Sequence, residues 1–234
     1  MLTFALDLSV FAIIAFCAWR GYNNGLLRGV FGIVALVISL FLASVIATAY
    51  SGEFNEMLNP FIGGVVDTAL VEIMEEELIH DLSEYGDEVD TFVTSYMAVR
   101  RIGLSEAPAV RIAEMTTEDS GSGRTSSGFL SDLISDKLSS VIAFVAVFGI
   151  AFILLAIVFA VAGNLIGFVF SLPGLKIIDI VTGTVLGFMK GFIIVLTLAT
   201  IVRYAGLLAV ETLEGTSVLK YFVNNNLIAN MLGV

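Results

Sequence analysis

Charge is scarce in this chain. Only 14% of its 234 residues are Asp, Glu, Lys or Arg, where a soluble globular domain carries about a quarter. Reactive side chains are scarcer still, with one cysteine and one histidine. Cys17 sits in an apolar run, where a thiol behaves as a small hydrophobe, and no intramolecular disulfide can form. His80 lies in Glu76-Glu77-Leu78-Ile79-His80-Asp81. Glu76 and His80 stand i, i+4, so one helix face could offer two metal ligands, which is too few to hold an ion; His80 reads as solvated and no metal is expected. Gly-x-Ser-x-Gly, His-Glu-x-x-His, P-loop and dinucleotide motifs are all missing. No catalytic residue and no cofactor is assigned, and the chain is not expected to be an enzyme. A net charge of −11 and an isoelectric point near 4.4 argue against a nucleic-acid partner.

What is abundant is apolar: 58% of residues are hydrophobic and the mean hydropathy is +0.98. A helix needs roughly 20 apolar residues to cross a hydrocarbon core of about 30 Å. Leu2 to Trp19 is a first run, interrupted by Asp7, and Leu26 to Tyr50 a second, charged only at Arg28. Val141 to Phe170 is uncharged, and Phe192 to Val202 continues past Arg203 to Val210. The first run lacks the basic start and small-residue cleavage site of a signal peptide and is kept as a span. The sequence therefore predicts an all-α integral membrane protein with four transmembrane helices arranged as two hairpins, 1–50 and 141–210. Between them lies an acidic helical insertion, 51–140, and after them a short tail, 211–234.

The insertion holds 18 of the 22 acidic residues and 5 basic ones. Leu70, Met74, Leu78 and Leu82 recur at helical spacing; Val89, Phe92, Val93, Tyr96 and Val99 form a second stripe. A third starts near Ser105 with Val110, Ile112 and Met115, and 117–128 has the composition of a flexible linker. Phe129 to Leu138 should run as an amphipathic turn straight into the third span. A solvated helical cap is preferred over a dedicated ligand-binding domain.

One pattern occurs twice. Residues 21–29 read GYNNGLLRG and residues 183–191 read GTVLGFMKG, 162 positions apart in the same register. Gly21, Gly25 and Gly29, and likewise Gly183, Gly187 and Gly191, would line one helix face, where small residues let membrane helices approach closely. Arg28 and Lys190 precede the last glycine of each copy. Glycine is common in membrane helices and such cations are topogenic, but matching register points to two related hairpins, an internal repeat.

These residues carry a family resemblance. Asp7 followed by Arg20-Gly21-Tyr22-Asn23-Asn24-Gly25-Leu26-Leu27-Arg28-Gly29 resembles the opening of the colicin V production protein (CvpA) family. Leu172-Pro173-Gly174-Leu175 and the run Thr182 to Gly191 resemble that family's other signature. Asn23-Asn24 replace residues that are often basic, and Asp179-Ile180 lacks the usual arginine. The resemblance implies a multi-pass inner-membrane protein linked to toxin biosynthesis or export and to envelope homeostasis.

Two functions fit. One is a non-enzymatic scaffold or accessory factor that uses its glycine faces for assembly, as a homo-oligomer or with a membrane-protein partner in the bilayer, and offers 51–140 to an extracytoplasmic partner. The other is a small oligomeric transporter or channel in which Asp7, Arg28 and Lys190 line a path. Arg20, Arg28, Lys176 and Lys190 lie in the two short turns and place those turns in the cytoplasm, with both termini and the insertion outside. Lys190 is expected at the cytoplasmic interface, with Ile177 to Met189 as a re-entrant or interfacial segment.

Overall fold

The computed structural model describes residues 2–75, 88–121, 124–166, 176–204, 212–213, 215–224 and 228. In chain order these form α1 (Leu2–Glu75), β1 (Glu88–Asp90), α2 (Thr91–Arg101), α3 (Glu106–Ser120), β2 (Arg124–Ser126), α4 (Ser127–Ile166), α5 (Lys176–Tyr204) and α6 (Val218–Asn224). Among the described residues three helices are long and apolar enough to cross a membrane: Leu2–Met74, Gly128–Gly163 and Asp179–Tyr204. Large apolar side chains stand exposed along them, including Phe4, Phe11, Phe41, Leu154, Val158 and Phe188. That surface suits lipid and would be a liability in water. Ser39 donates to the Ala35 carbonyl of its own helix at 2.8 Å and Thr197 to that of Ile193 at 2.9 Å, which suits an apolar surrounding.

The expected break near residue 50 is absent. α1 runs on through Pro60 to Glu75. Its one non-helical residue is Gly25, with φ 74° and ψ −176°. That conformation is open essentially to glycine alone.

Two compact units divide the chain: Met1–Ala47 with Val147–Ile201 and Glu211–Gly233, and Thr48–Ala146 with Val202–Val210 and Val234. In the first, Leu36, Ala43, Phe148, Phe152, Val195 and Ala199 are buried, with the Phe148 and Phe152 rings stacked at 6.2 Å. The tail contributes α6, whose Phe222 meets Phe192 edge-on at 5.1 Å.

In the second unit α2 and α3 pack on each other. Asp90 caps α2 by accepting the Val93 N–H at 2.8 Å, and Gly121 ends α3 in the left-handed conformation. The buried face of α2 is Thr91, Thr94, Ser95, Ala98 and Val99; Val99 is the member of the predicted stripe that is buried there, and Phe92 is exposed. In α3 only Ile112 of the predicted stripe is fully buried, beside Pro108, Ala109, Ala113 and Thr116. Most of the side chains buried on the two helices are small, with Val99 and Ile112 the larger apolar ones among them. Leu70 is buried as expected, with Val66, Ala69 and Ile73 around it. Leu78, Leu82, Glu76 and His80 lie outside the described residues.

The linker expected at 117–128 begins instead as the last turn of α3 and holds β2, which pairs antiparallel with β1 (Glu88 with Ser126, Asp90 with Arg124). A purely α-helical insertion is corrected on this point. Phe129 to Leu138 does continue unbroken into the third apolar run, burying Leu130, Ile134 and Leu138. Ser131 donates to the Asp67 carboxylate, Lys137 pairs with Asp119, and Arg101 pairs with Glu72 at 3.3 Å.

Candidate functional site

The two glycine nonapeptides meet each other. A methyl carbon added at Gly21 would strike the Gly183 carbonyl and lie 2.8 Å from the Gly187 Cα. One added at Gly183 would lie 2.8 Å from the Gly25 Cα, and one at Gly187 2.9 Å from the Gly21 Cα. At Gly191 it would be 3.0 Å from the Ile14 Cα and from the Cys17 Cβ. These are backbone contacts that admit no side chain. Cys17, read as a mere small hydrophobe, belongs to this crossing.

The order of contacts shows what Gly25 does. Ile14, Cys17, Gly21 and Gly25 meet α5 successively at Gly191, Gly187, Gly183 and Asp179, so this part of α1 runs antiparallel to α5. Beyond Gly25 the order reverses, with Gly29 on Leu186 and Gly32 on Lys190. The chain turns back at Gly25, and its two limbs both lie along α5. Asp179 holds the turn: its Oδ1 accepts the Leu26 N–H at 2.6 Å, and its carboxylate occupies the space a Gly25 side chain would need. The sequence reading gave this residue no role in packing. It is also the acidic residue in the first turn of α5, where the helix dipole favours negative charge.

Two expectations are corrected here. Gly21, Gly25 and Gly29 are not in line on one helix face, because Gly25 is not helical, and Gly29 faces the Leu186 side chain rather than a glycine. The two nonapeptides also differ in conformation, since Gly187 has no positive φ. They are the two sides of one contact, rather than equivalent copies.

Asp7 is half-buried and caps another element. Its carboxylate accepts the N–H groups of Ser217 at 2.9 Å and of Val218 and Leu219 at 3.0 Å, the first amides of α6. A carboxylate 210 residues upstream thus satisfies donors that α6 itself cannot. Spacing gave no signal for this pairing.

Lys190 lies inside an unbroken helix. Lys176–Tyr204 is continuous, so Ile177 to Met189 is no separate re-entrant segment. From the start of the apolar stretch at Asp179 to Lys190 is roughly 16 Å, and from Lys190 to Tyr204 roughly 21 Å, at 1.5 Å per residue. Lys190 is half-buried, as is Arg28. With Arg20 they line a cavity of about 220 Å³ beside Gly21, Gly29 and Gly187. Arg20, Arg28 and Lys190 make no hydrogen bond or ion pair among the described residues. A second cavity of about 320 Å³ adjoins it, lined by Leu36, Phe152, Ile157 and Leu198 and again by Lys190. The Arg203 guanidinium lies 5.6 Å from the Tyr204 ring centroid, at the far end of α5.

Long apolar helices with lipid-suited surfaces and a backbone-close glycine crossing define an all-α membrane protein. Residues 114–227 match the family model described as colicin V production protein. The match takes in α4, α5 and α6, including Gly183, Gly187, Lys190 and Gly191. No curated protein and no solved structure gives a significant match.

Proposed function

We propose that the chain is a non-enzymatic membrane scaffold or accessory factor serving toxin production or export and envelope homeostasis. It crosses the bilayer four times, with the two limbs of α1 as separate spans. The observation that carries this reading is where the unusual residues go. The glycines are spent on a backbone contact, and two carboxylates of the apolar segments, Asp7 and Asp179, hold amides of distant elements. Polar groups employed as architecture describe a rigid support. In a toxin-producing host depleted of its own family member, the wild-type chain should restore toxin release. Gly187→Leu should fail, and Lys190→Gln should restore release as the wild type does. Loss of release in Lys190→Gln with normal membrane abundance would remove the scaffold reading.

One observation favours transport as the second reading. Arg20, Arg28 and Lys190 converge on a cavity part-way along α5, and ionisable groups at such positions commonly mark pathways. Proteoliposomes containing the purified chain separate the two readings. The scaffold predicts anion and cation fluxes equal to those of protein-free vesicles.

A further inference from the structure

The two cavities of the first unit share Gly32, Ala160, Lys190 and Ile194, so they adjoin and together line one groove along α5, with these four residues where they meet. Its direction can be read from the packing. Gly163 lies on Phe31 and Gly149 on Ile201, so α4 runs antiparallel to α5. The smaller cavity reaches Asn24 and Gly163, toward the turn at Gly25. The larger reaches Phe152 and Leu198, away from it. All three cations stand in the smaller part, and Lys190 is the only ionisable group of the larger one. A charged end at a helix turn followed by an apolar channel along the helices has the polarity of a membrane amphiphile.

We propose that this groove binds a lipid phosphate, with the phosphate ester among Arg20, Arg28 and Lys190 and a hydrocarbon chain along Leu36, Phe152 and Leu198. Three cations lining one cavity repel one another, no anion lines it among the described residues, and the partial burial of Arg28 and Lys190 is costly unless a counter-charge enters. Phosphate oxygens accept several charge-assisted hydrogen bonds at once, and arginine forks match them. Basic pockets between transmembrane helices are a known form of anionic-lipid recognition. A free phosphate would use the cations and leave the apolar channel without purpose.

The test uses the isolated full chain, so it does not depend on the scaffold reading. Protein purified in mild detergent is mixed with phosphatidylglycerol, or with diacylglycerol of the same chains, and the intact complexes are weighed by native mass spectrometry. Phosphatidylglycerol should be retained about tenfold better than diacylglycerol, the worth of roughly one charged hydrogen bond, and millimolar inorganic phosphate should not displace it. Arg28→Gln should lose that preference and Arg28→Lys should keep most of it. Lys220→Gln, an equal charge change on exposed α6, should have no effect. Equal retention of the two lipids by the wild type overturns the proposal, whether or not Arg28→Gln folds. Displacement by inorganic phosphate converts the site to one for the free anion, and an equal loss in Lys220→Gln reduces it to net charge.

Discussion

Asp7 and Asp179 are the residues whose removal should be felt farthest along the chain. Asp7 holds three amides at the start of α6. Asp7→Asn keeps the shape but removes the charge and one acceptor oxygen. It should cost about 1–2 kcal/mol, in the range of a lost helix cap. The measurement is thermal unfolding in detergent together with amide hydrogen exchange. Exchange should rise at residues 217–219 and stay unchanged in α2; unchanged exchange at 217–219 would deny Asp7 its capping role. Gly25 offers a cleaner contrast. Its φ of 74° and the Asp179 carboxylate beside it exclude a side chain, whereas Gly52 is helical with nothing within 4 Å of an added methyl. Gly25→Ala should therefore lose at least 1–3 kcal/mol, while Gly52→Ala should gain roughly 0.5–1 kcal/mol from helix propensity. Similar melting temperatures for the two variants would mean the turn at Gly25 is not as described.

The crossing of α1 on α5 sets a test for whole elements. Gly187 faces the Cys17 carbonyl and the Gly21 Cα, and Val185, two positions earlier, is exposed. Gly187→Leu should force the two backbones apart and strongly reduce folded yield. Val185→Leu, of the same final size, should leave yield unchanged. Leu186 is a poor control because it packs on Gly29. Equal yields would show that the glycines merely accompany the crossing. This contact was half legible in the sequence. Four-residue spacing marked the glycines, but spacing along one chain says nothing about which faces meet, and nothing in GYNNGLLRG shows that its middle glycine leaves the helix. The stripes in α2 and α3 misled for a related reason. Large apolar residues are easy to count, yet the buried faces consist mostly of small ones such as Thr94, Ser95, Ala98, Ala109 and Ala113. The two short strands escaped because three-residue segments are too brief for alternation to register.

For the whole molecule the open quantity is sidedness, which hydropathy cannot fix but basic residues can. The turn at Gly25 gives the argument a physical hinge. Residues on either side of it lie along α5 in opposite directions, as two successive spans would. Leu26 to Ala47 then covers about 33 Å, enough for a hydrocarbon core. The helix continues into Glu53, Glu56, Asp67 and Glu72, which belong in water. Arg20 and Arg28 flank the hinge, and Lys176 opens α5, whose Asp179 end meets it. Arg20, Arg28 and Lys176 thus gather at one end of the helices, the end that should face the cytoplasm, while Lys190 lies further along α5. The opposite ends, with the acidic segment and the tail, should face outside. Single cysteines placed at Ser83 in the acidic segment and at exposed Ser217, in a Cys17→Ser background, test this with a membrane-impermeant maleimide. Both should react in intact, outer-membrane-permeabilised cells. Ser217 should do so despite the bond of its N–H to Asp7, since the substitution leaves the backbone donor in place. Reaction of both only after the inner membrane is opened would reverse the topology. Reaction of one without the other would mean an odd number of crossings between them, and α4 and α5 could no longer both be spans.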